Sequence, residues 1–142
     1  MNENQIRAEL KCLKSFQGVF ACNEHKNPQQ LPASYVFNTD PREKSGTHWV
    51  AVYIDKNGKG EYFDSFGKKP QKDILNFMRK LCTEIKYNNK CFQQDTSISC
   101  GVFCIYFLQK RNSDASSLNL GQNNLSNELV LFDYFMSCQA KK

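Results

Sequence analysis

The chain has 142 residues, 40% of them hydrophobic and 13% aromatic, which is enough to form a single domain over residues 1–142 with its own core. Nineteen Lys and Arg against 14 Asp and Glu give a formal charge of +5, spread along the chain rather than gathered in a block. This balance permits contact with DNA, although solvated lysines that favour solubility explain it as well. No segment has the roughly 18 apolar residues of a membrane span, and the N-terminus lacks the apolar stretch of a signal peptide. We therefore expect an intracellular protein that is not secreted and has no membrane contact.

The seven cysteines are an odd number without regular spacing, which predicts free thiols in a reducing compartment rather than a disulfide framework. The sequence contains no CxxC pair, and the couple Cys22 and His25, with Cys12 upstream, lacks a fourth ligand for zinc. We expect neither a metal site nor a required cofactor.

The first half of the chain is predicted to contain a helix and a hairpin. Apolar residues at three- and four-residue intervals predict a helix from Asn2 to Phe16. The proline-broken segment that follows is predicted to be a loop with one short strand near 35–37. Two strand-like runs, 48–54 and 61–67, flank the dipeptide Asn57-Gly58, a turn signal. Both alternating faces of the first run are apolar, so we expect a sheet that is covered on both sides.

The second half is predicted to alternate helices with short strands. The pattern over 74–81 is helical, and strands are expected from Glu84 to Tyr87 and near Cys91-Phe92. The run from Cys100 to Arg111 is apolar nearly all round, as in a central buried helix. A last helix is expected to begin with Ser126 as its N-cap. It would bring several apolar side chains to the core: Leu129, Val130, Phe132, Phe135 and Met136.

Cys100 lies where a polar run ends and the apolar helix begins. A thiol reacts as the thiolate, and an ordinary pKa near 8.5 leaves only about 3% ionised at pH 7. The free N–H groups at a helix N-terminus and a protonated histidine both stabilise the anion. From this segment alone, a reactive nucleophile and a small buried hydrophobe are equally good interpretations.

A base for Cys100 must be one of the two histidines, His25 or His48. Asp64 lies near the end of the hairpin's second strand, so antiparallel pairing brings it to the same end of the sheet as His48. A carboxylate there would orient the imidazole and stabilise its charge. Taken alone, Asp64 would be interpreted as a turn residue.

The register of the hairpin decides whether His48 and Asp64 meet. A two-residue turn puts the two side chains on opposite faces of the sheet. A three-residue loop, residues 56–58 with Gly58 in the left-handed conformation, pairs Val50 with Asp64 instead. The two side chains are then diagonal neighbours on one face, roughly 7–8 Å apart at the backbone. We predict the three-residue loop.

Acyl transfer also needs N–H groups directed at the oxygen on which negative charge develops. The backbone N–H of Cys100 is one candidate. A side-chain amide just upstream, that of Gln93 or Gln94, is the other. A single glutamine in a loop is usually only solvated, so this assignment depends on its neighbours.

Four phrases in order give the sequence a family resemblance: FNTD (37–40), GTHW (46–49), YFDSFG (62–67) and FQQDTSISCGVFC (92–104). They resemble those of the adenovirus endopeptidase (adenain) and the related ubiquitin-like-protein-specific cysteine proteases. The closest likeness is to the adenain-like proteases of Polinton (Maverick) elements and adintovirus-type viruses. The resemblance implies an α+β, papain-like fold with a central antiparallel sheet and a buried helix that carries the nucleophile at its N-terminus.

Carried over by position, the resemblance implies His48 as the general base, Asp64 as its orienting acid, Cys100 as the nucleophile and Gln93 as the oxyanion donor. Gln93 is preferred to Gln94 because it stands seven residues before the cysteine, as in adenain-like enzymes. The implied activity is that of a cysteine endopeptidase.

The resemblance also implies the biological setting. The expected substrates are polypeptides, the capsid precursors of a maturing virion, and the enzyme is expected to be a monomer in the virion and in the nucleus or cytoplasm of a host cell. A peptide or DNA activator is implied by the likeness to adenain. Two alternatives stay open: an isopeptidase for ubiquitin-like modifiers, with the same chemistry, and a non-catalytic basic domain that binds nucleic acid.

Overall fold

The computed structural model describes residues 1–41, 48–94, 100–113 and 117–140, with side chains to residue 137, and five of its segments form one sheet. In chain order the elements are α1 (Glu3–Leu10), β1 (Phe16–Ala21), β2 (Ala33–Asn38), β3 (Trp49–Ile54), β4 (Lys59–Phe63), α2 (Lys72–Leu81), β5 (Glu84–Tyr87), α3 (Cys100–Arg111) and α4 (Asn124–Ala140). Among the described residues, no helix is both long and apolar enough to cross a lipid bilayer.

The strands lie side by side in chain order, and the sheet is mixed rather than wholly antiparallel. The three central strands pair antiparallel, as expected, but β1 with β2 and β4 with β5 pair parallel at the two edges. Parallel neighbours need a crossover connection, and α2 supplies it between β4 and β5. The α+β class is confirmed. The predicted antiparallel pairing holds for the three central strands and is wrong for the two edge strands.

Helices cover both faces of the sheet, because β3 presents apolar side chains alternately to each. Val50, Val52 and Ile54 face a core that α2 closes. Ala51 faces the opposite core, which contains α3 and the inner side chains of α1. There the rings of Phe63 and Phe107 stack with centroids 4.6 Å apart. The prediction of a doubly covered sheet is confirmed.

The hairpin between β3 and β4 has the register that we predicted. Ala51 pairs with Phe63 and Ile54 with Gly60, a register that continues to Val50 beside Asp64. Gly58 has φ of 81°, the left-handed conformation that such a three-residue loop requires.

Two predictions for the first half of the chain are wrong in their bounds. Helix α1 ends at Leu10, whereas the prediction extended it to Phe16. Phe16 instead begins strand β1, most of which was predicted to be a loop. Strand β1 exists because it pairs with β2, with an irregularity between Phe16 and Gly18. Such a partner is remote in sequence, so local periodicity does not reveal it. Farther along, Cys91-Phe92 is not a strand.

The last helix is also corrected. It begins at Asn124, and its N-cap is Asn123, three residues before the predicted Ser126, because the side-chain oxygen of Asn123 accepts the N–H of Ser126 at 3.0 Å. Among the described residues of α4, Leu131 is the apolar side chain that is buried, while Val130 and Phe135 are partly buried against the core. Three side chains predicted to be in the core are exposed: Leu129, Phe132 and Met136. The helix is apolar on several sides, so its sequence does not single out the face that packs.

Candidate active site

His48 lies at the rim of the sheet, immediately before β3. Its carbonyl accepts the N–H of Thr39 at 3.0 Å, next to the last rung of the β2–β3 ladder, where Asn38 pairs with Trp49. The sheet therefore fixes the backbone from which the imidazole extends. Gly46 and Thr47 of the GTHW phrase lie outside the described residues.

The imidazole of His48 and the carboxylate of Asp64 meet, with Nε2 and Oδ1 2.7 Å apart. Asp64 follows the end of β4 and is only 2% exposed. Its Oδ1 also accepts the N–H of Phe66 at 2.8 Å, which orients the carboxylate. The Phe66 ring packs against the imidazole with centroids 5.0 Å apart. Because Nε2 is engaged by Asp64, Nδ1 is the nitrogen that remains for a thiol.

The backbone of Asp64 is held by Asn88, a residue that the sequence analysis missed. The N–H of Asp64 donates to Asn88 Oδ1 at 3.0 Å, and Asn88 Nδ2 donates to the Asp64 carbonyl at 2.6 Å. The amide thus continues the pairing of β4 with β5 beyond the last rung, at Tyr62 and Tyr87. An asparagine just after a predicted strand is the only local sequence signal for this role, and it is a weak one.

Cys100 is the first residue of α3, and its thiol lies close enough to His48 for the imidazole to lower the thiol pKa through hydrogen bonding and charge. Burial raises the pKa of this thiol, but four contributions from neighbouring groups together outweigh burial. They are the hydrogen bond and charge of His48, and the backbone N–H groups of Trp49 and Gly101, which point at the sulfur. The pKa of Cys100 is therefore below its ordinary value, and the thiolate is favoured.

The same contacts act on the histidine in the opposite direction. Burial lowers the pKa of His48, but the hydrogen bonds to Asp64 and Cys100 and their negative charges raise it, for a net value of about 9. A lowered thiol pKa beside a raised imidazole pKa favours a thiolate–imidazolium pair at neutral pH. The thiol, the imidazole and the carboxylate thus lie in one continuous line, the arrangement that cysteine-based acyl transfer requires.

Gln93 is fully buried against Ser65, the neighbour of Asp64 in the chain, whereas Gln94 is only half-buried. The Oε1 atom of Gln93 accepts the hydroxyl of Ser65 at 2.5 Å, and its backbone N–H donates to the Ser65 carbonyl at 3.1 Å. Its own carbonyl accepts Asn124 Nδ2 at 3.2 Å. Residues 95–99, between the glutamines and Cys100, lie outside the described residues.

Residues 16–128 match the family model of the Ulp1 protease family, C-terminal catalytic domain. The chain belongs to the Ulp1 protease family. These proteins are cysteine-type peptidases, so the resemblance noted in the sequence is confirmed at the level of the family. The assignment to the Polinton type stays a prediction.

Three viral relatives of this Ulp1-family chain illustrate the similarity. It is 38% identical to the thiol protease R355 of Acanthamoeba polyphaga mimivirus, over 64% of this chain and 33% of that protein. It is 31% identical to the protease of bovine adenovirus 4, over 75% of this chain and 63% of that one. It is 25% identical to the SUMO-1 cysteine protease S273R of African swine fever virus, over 66% and 38% of the two chains.

A crystal structure of that swine fever virus protease, pS273R, matches this Ulp1-family chain with a TM-score of 0.57. The identity is 19%, over 80% of this chain and 56% of that one, so the likeness shows the papain-like fold. The chain spans between 33% and 63% of the length of the curated viral relatives that it matches.

The other candidate residues lie apart from the line. The exposed His25 stacks on Phe77 of α2 with centroids 4.8 Å apart, on the opposite face of the sheet from α3. Cys104 is buried within α3, where burial raises the pKa of its thiol well above the ordinary value. The structure therefore brings His48, rather than His25, to Cys100. In the described ranges, no group of three His, Cys, Asp or Glu side chains is placed to hold a metal ion.

A surface cavity of about 380 Å³ opens beside the imidazole, on the side of Asp64. Its lining includes His48, Phe66 and the exposed Lys68 and Lys69.

Proposed function

We propose that this protein hydrolyses peptide bonds as a cysteine endopeptidase, with Cys100 as nucleophile, His48 as general base, Asp64 as the acid that orients it and Gln93 as oxyanion donor. The observation that carries the proposal is the continuous contact from the Cys100 thiol to His48 and on to Asp64, with Nε2 and Oδ1 2.7 Å apart. The opposite pKa shifts of the thiol and the imidazole support it.

The proposed reaction has two halves. His48 takes the thiol proton, and the Cys100 thiolate attacks the carbonyl carbon of the scissile peptide bond. The negative charge moves to the carbonyl oxygen, to which the Gln93 side chain and the Cys100 backbone N–H donate. His48 then returns the proton to the leaving amine as the C–N bond breaks. Water, deprotonated by His48, hydrolyses the resulting thioester and regenerates the thiol.

The substrates that we propose are capsid precursor proteins of a virus or virus-like element, cut in the virion or inside the host cell. The support is that the relatives described above are viral proteins named as proteases. The net charge of +5 and the lysines beside the cavity favour a further contact with DNA, which would act as an activator. We expect the enzyme to work as a monomer.

A second candidate is an isopeptidase that removes ubiquitin-like modifiers. It is favoured by the match to the Ulp1 family and by the printed name of one relative, a SUMO-1 cysteine protease. The chemistry at Cys100 is the same in both candidates, and only substrate recognition differs. Rapid labelling of Cys100 by an electrophile built on the C-terminus of a modifier, and not by short peptide electrophiles, would favour the isopeptidase.

The test of the proposal is coexpression with the virion proteins encoded beside this protein. The wild type and the Cys100→Ala variant would be compared, and new N-termini would be mapped by mass spectrometry. We expect discrete cleavages with the wild type and none with the variant. Identical peptide maps from both would contradict the proposed endopeptidase activity.

A further inference from the structure

Ser65 is a buried serine, 1% exposed, that takes no part in the four roles proposed above. It follows Asp64 directly in the turn after β4. Its hydroxyl donates to Gln93 Oε1 at 2.5 Å, and its carbonyl accepts the backbone N–H groups of Phe92 at 2.7 Å and Gln93 at 3.1 Å. Both the main chain and the side chain of Gln93 are therefore bound to this one residue.

The hydroxyl contact matters because an amide side chain has two different ends. Oε1 can only accept hydrogen bonds, whereas Nε2 can only donate them. An oxyanion needs donors, so Gln93 can stabilise it only when Oε1 is turned away from the reacting carbonyl. A hydroxyl that donates to Oε1 stabilises that orientation. Without it, the buried Oε1 loses a partner and the amide gains by rotating.

Two further contacts of Gln93 act on its main chain. Asn124 Nδ2 donates to the Gln93 carbonyl at 3.2 Å, and the Cys91 thiol lies 3.0 Å from the same oxygen. These contacts fix where the residue lies without distinguishing the two ends of its amide. The Ser65 hydroxyl makes that distinction.

We propose that Ser65 is a positioning residue that holds the Gln93 amide in the orientation in which its N–H groups, rather than Oε1, face the oxyanion. The inference rests on the proposed function, because it needs Gln93 to be the oxyanion donor. Two adjacent residues of one turn then have related roles: Asp64 orients the base His48, and Ser65 orients the oxyanion donor Gln93. The same geometry favours Gln93 over the half-buried Gln94 in this role.

The experiment compares two reactions of Cys100 in the wild type and in Ser65→Ala. Hydrolysis of benzyloxycarbonyl-Gly-Gly p-nitrophenyl ester passes through an oxyanion, whereas alkylation by iodoacetamide is a displacement at carbon that forms none. We expect kcat/KM for the ester to fall about 10- to 100-fold, because removing an oxyanion donor outright costs about 100- to 1,000-fold. The rate of alkylation should stay within about twofold. Binding of a Gly-Gly peptide aldehyde, whose adduct carries the oxyanion, should weaken by a factor similar to the loss in hydrolysis.

Ser34→Ala is the matched control. Like Ser65, Ser34 is a buried serine with a hydrogen-bonded hydroxyl, which contacts the Ser15 hydroxyl at 2.7 Å. It lies at the end of β2 that is remote from His48. Its loss should lower thermal stability comparably and leave both reactions of Cys100 unchanged. Ser65→Thr, which retains the hydroxyl, should recover most of the ester activity.

A double-mutant cycle makes the inference specific. If Ser65 acts through Gln93, then Ser65→Ala added to Gln93→Ala should cause no further loss of ester hydrolysis. Additive losses, equal losses in alkylation and hydrolysis, or unchanged hydrolysis in Ser65→Ala would each overturn the inference. Failure of the wild type itself to hydrolyse the ester, while iodoacetamide still labels Cys100, would overturn the proposed function instead.

Discussion

Replacing Asp64 by asparagine removes the negative charge beside His48 while keeping a side-chain oxygen for the N–H of Phe66. The raised pKa of His48, about 9 against an ordinary 6.5, corresponds to about 3 kcal/mol of added stability for the imidazolium form. Asp64 is the first of the two side chains that raise it, ahead of Cys100. If about half to most of this stabilisation is lost, the population of the ion pair at neutral pH falls about 10- to 100-fold.

The assay is the pH dependence of Cys100 alkylation by iodoacetamide, which reports the thiolate. In the wild type, the rate should rise with a midpoint below the ordinary thiol pKa, and in Asp64→Asn this midpoint should move up. Hydrolysis should lose activity as pH rises through about 9, where His48 deprotonates, and this upper limb should move to lower pH in the variant. At pH 6.5, we expect kcat/KM to be at least about tenfold lower.

Asp55→Asn is the control, because it removes the same charge at the other end of the hairpin while keeping the oxygen that accepts the N–H groups of residues 57 and 59. Its alkylation profile should match that of the wild type. If Asp64→Asn gave the same profile as Asp55→Asn, the reasoning that links the carboxylate to the thiolate would be refuted.

Three further predictions concern the support of the site and the fold. Asn88→Ala should lower kcat about tenfold and move the upper pH limb of hydrolysis below about 9, because the backbone of Asp64 loses the two hydrogen bonds that hold it. Changing the exposed neighbour Asn89 to Ala should affect neither quantity. Asn123→Ala should lower the unfolding free energy by about 1 kcal/mol in urea, because the Asn123 side chain caps α4. Ser126→Ala should lower it distinctly less. A larger loss from Ser126→Ala would support Ser126 as the N-cap instead. Gly67→Ala should lower the unfolding free energy by about 2 kcal/mol or more, because Gly67 has φ of 69° and an added Cβ would lie 2.6 Å from the backbone of residue 90. An unchanged thermal midpoint of unfolding would contradict this prediction.

The central part of the fold was predictable because its sequence signals are local. The Asn57-Gly58 turn and the apolar runs beside it fix the hairpin, and the predicted bounds of β5 and α3 coincide with the structure. The register followed from asking which loop length lets His48 and Asp64 share a face. The meeting of these two side chains is therefore a consequence of turn geometry.

The edges of the fold were less predictable, because their structure depends on partners that are remote in sequence. Strand β1 is defined by its parallel pairing with β2, and a helical periodicity that ran on to Phe16 concealed it. In α4 the apolar residues surround the helix, so composition did not reveal that Leu131 packs while Phe132 is exposed. Burial there is set by where the helix lies on α3 and the loops.

The sequence predicted the residues proposed to react, but not the residues that hold them in position. Cys100, His48 and Asp64 have chemical identities that point to one another. Asn88 and Ser65 are ordinary polar residues whose importance comes from what their amide and hydroxyl contact. Neither residue type nor spacing singles out such contacts, so the coordinates were needed to find them.

The most direct test of the account is to identify which cysteine forms the covalent adduct with a Gly-Gly peptide vinyl ester, using peptide mass spectrometry at pH 7 on the wild type and on His48→Ala. The account predicts a single modified thiol, that of Cys100, and labelling at least about 100-fold slower in the variant. Labelling spread over exposed thiols such as that of Cys12, or equal rates in both proteins, would contradict it.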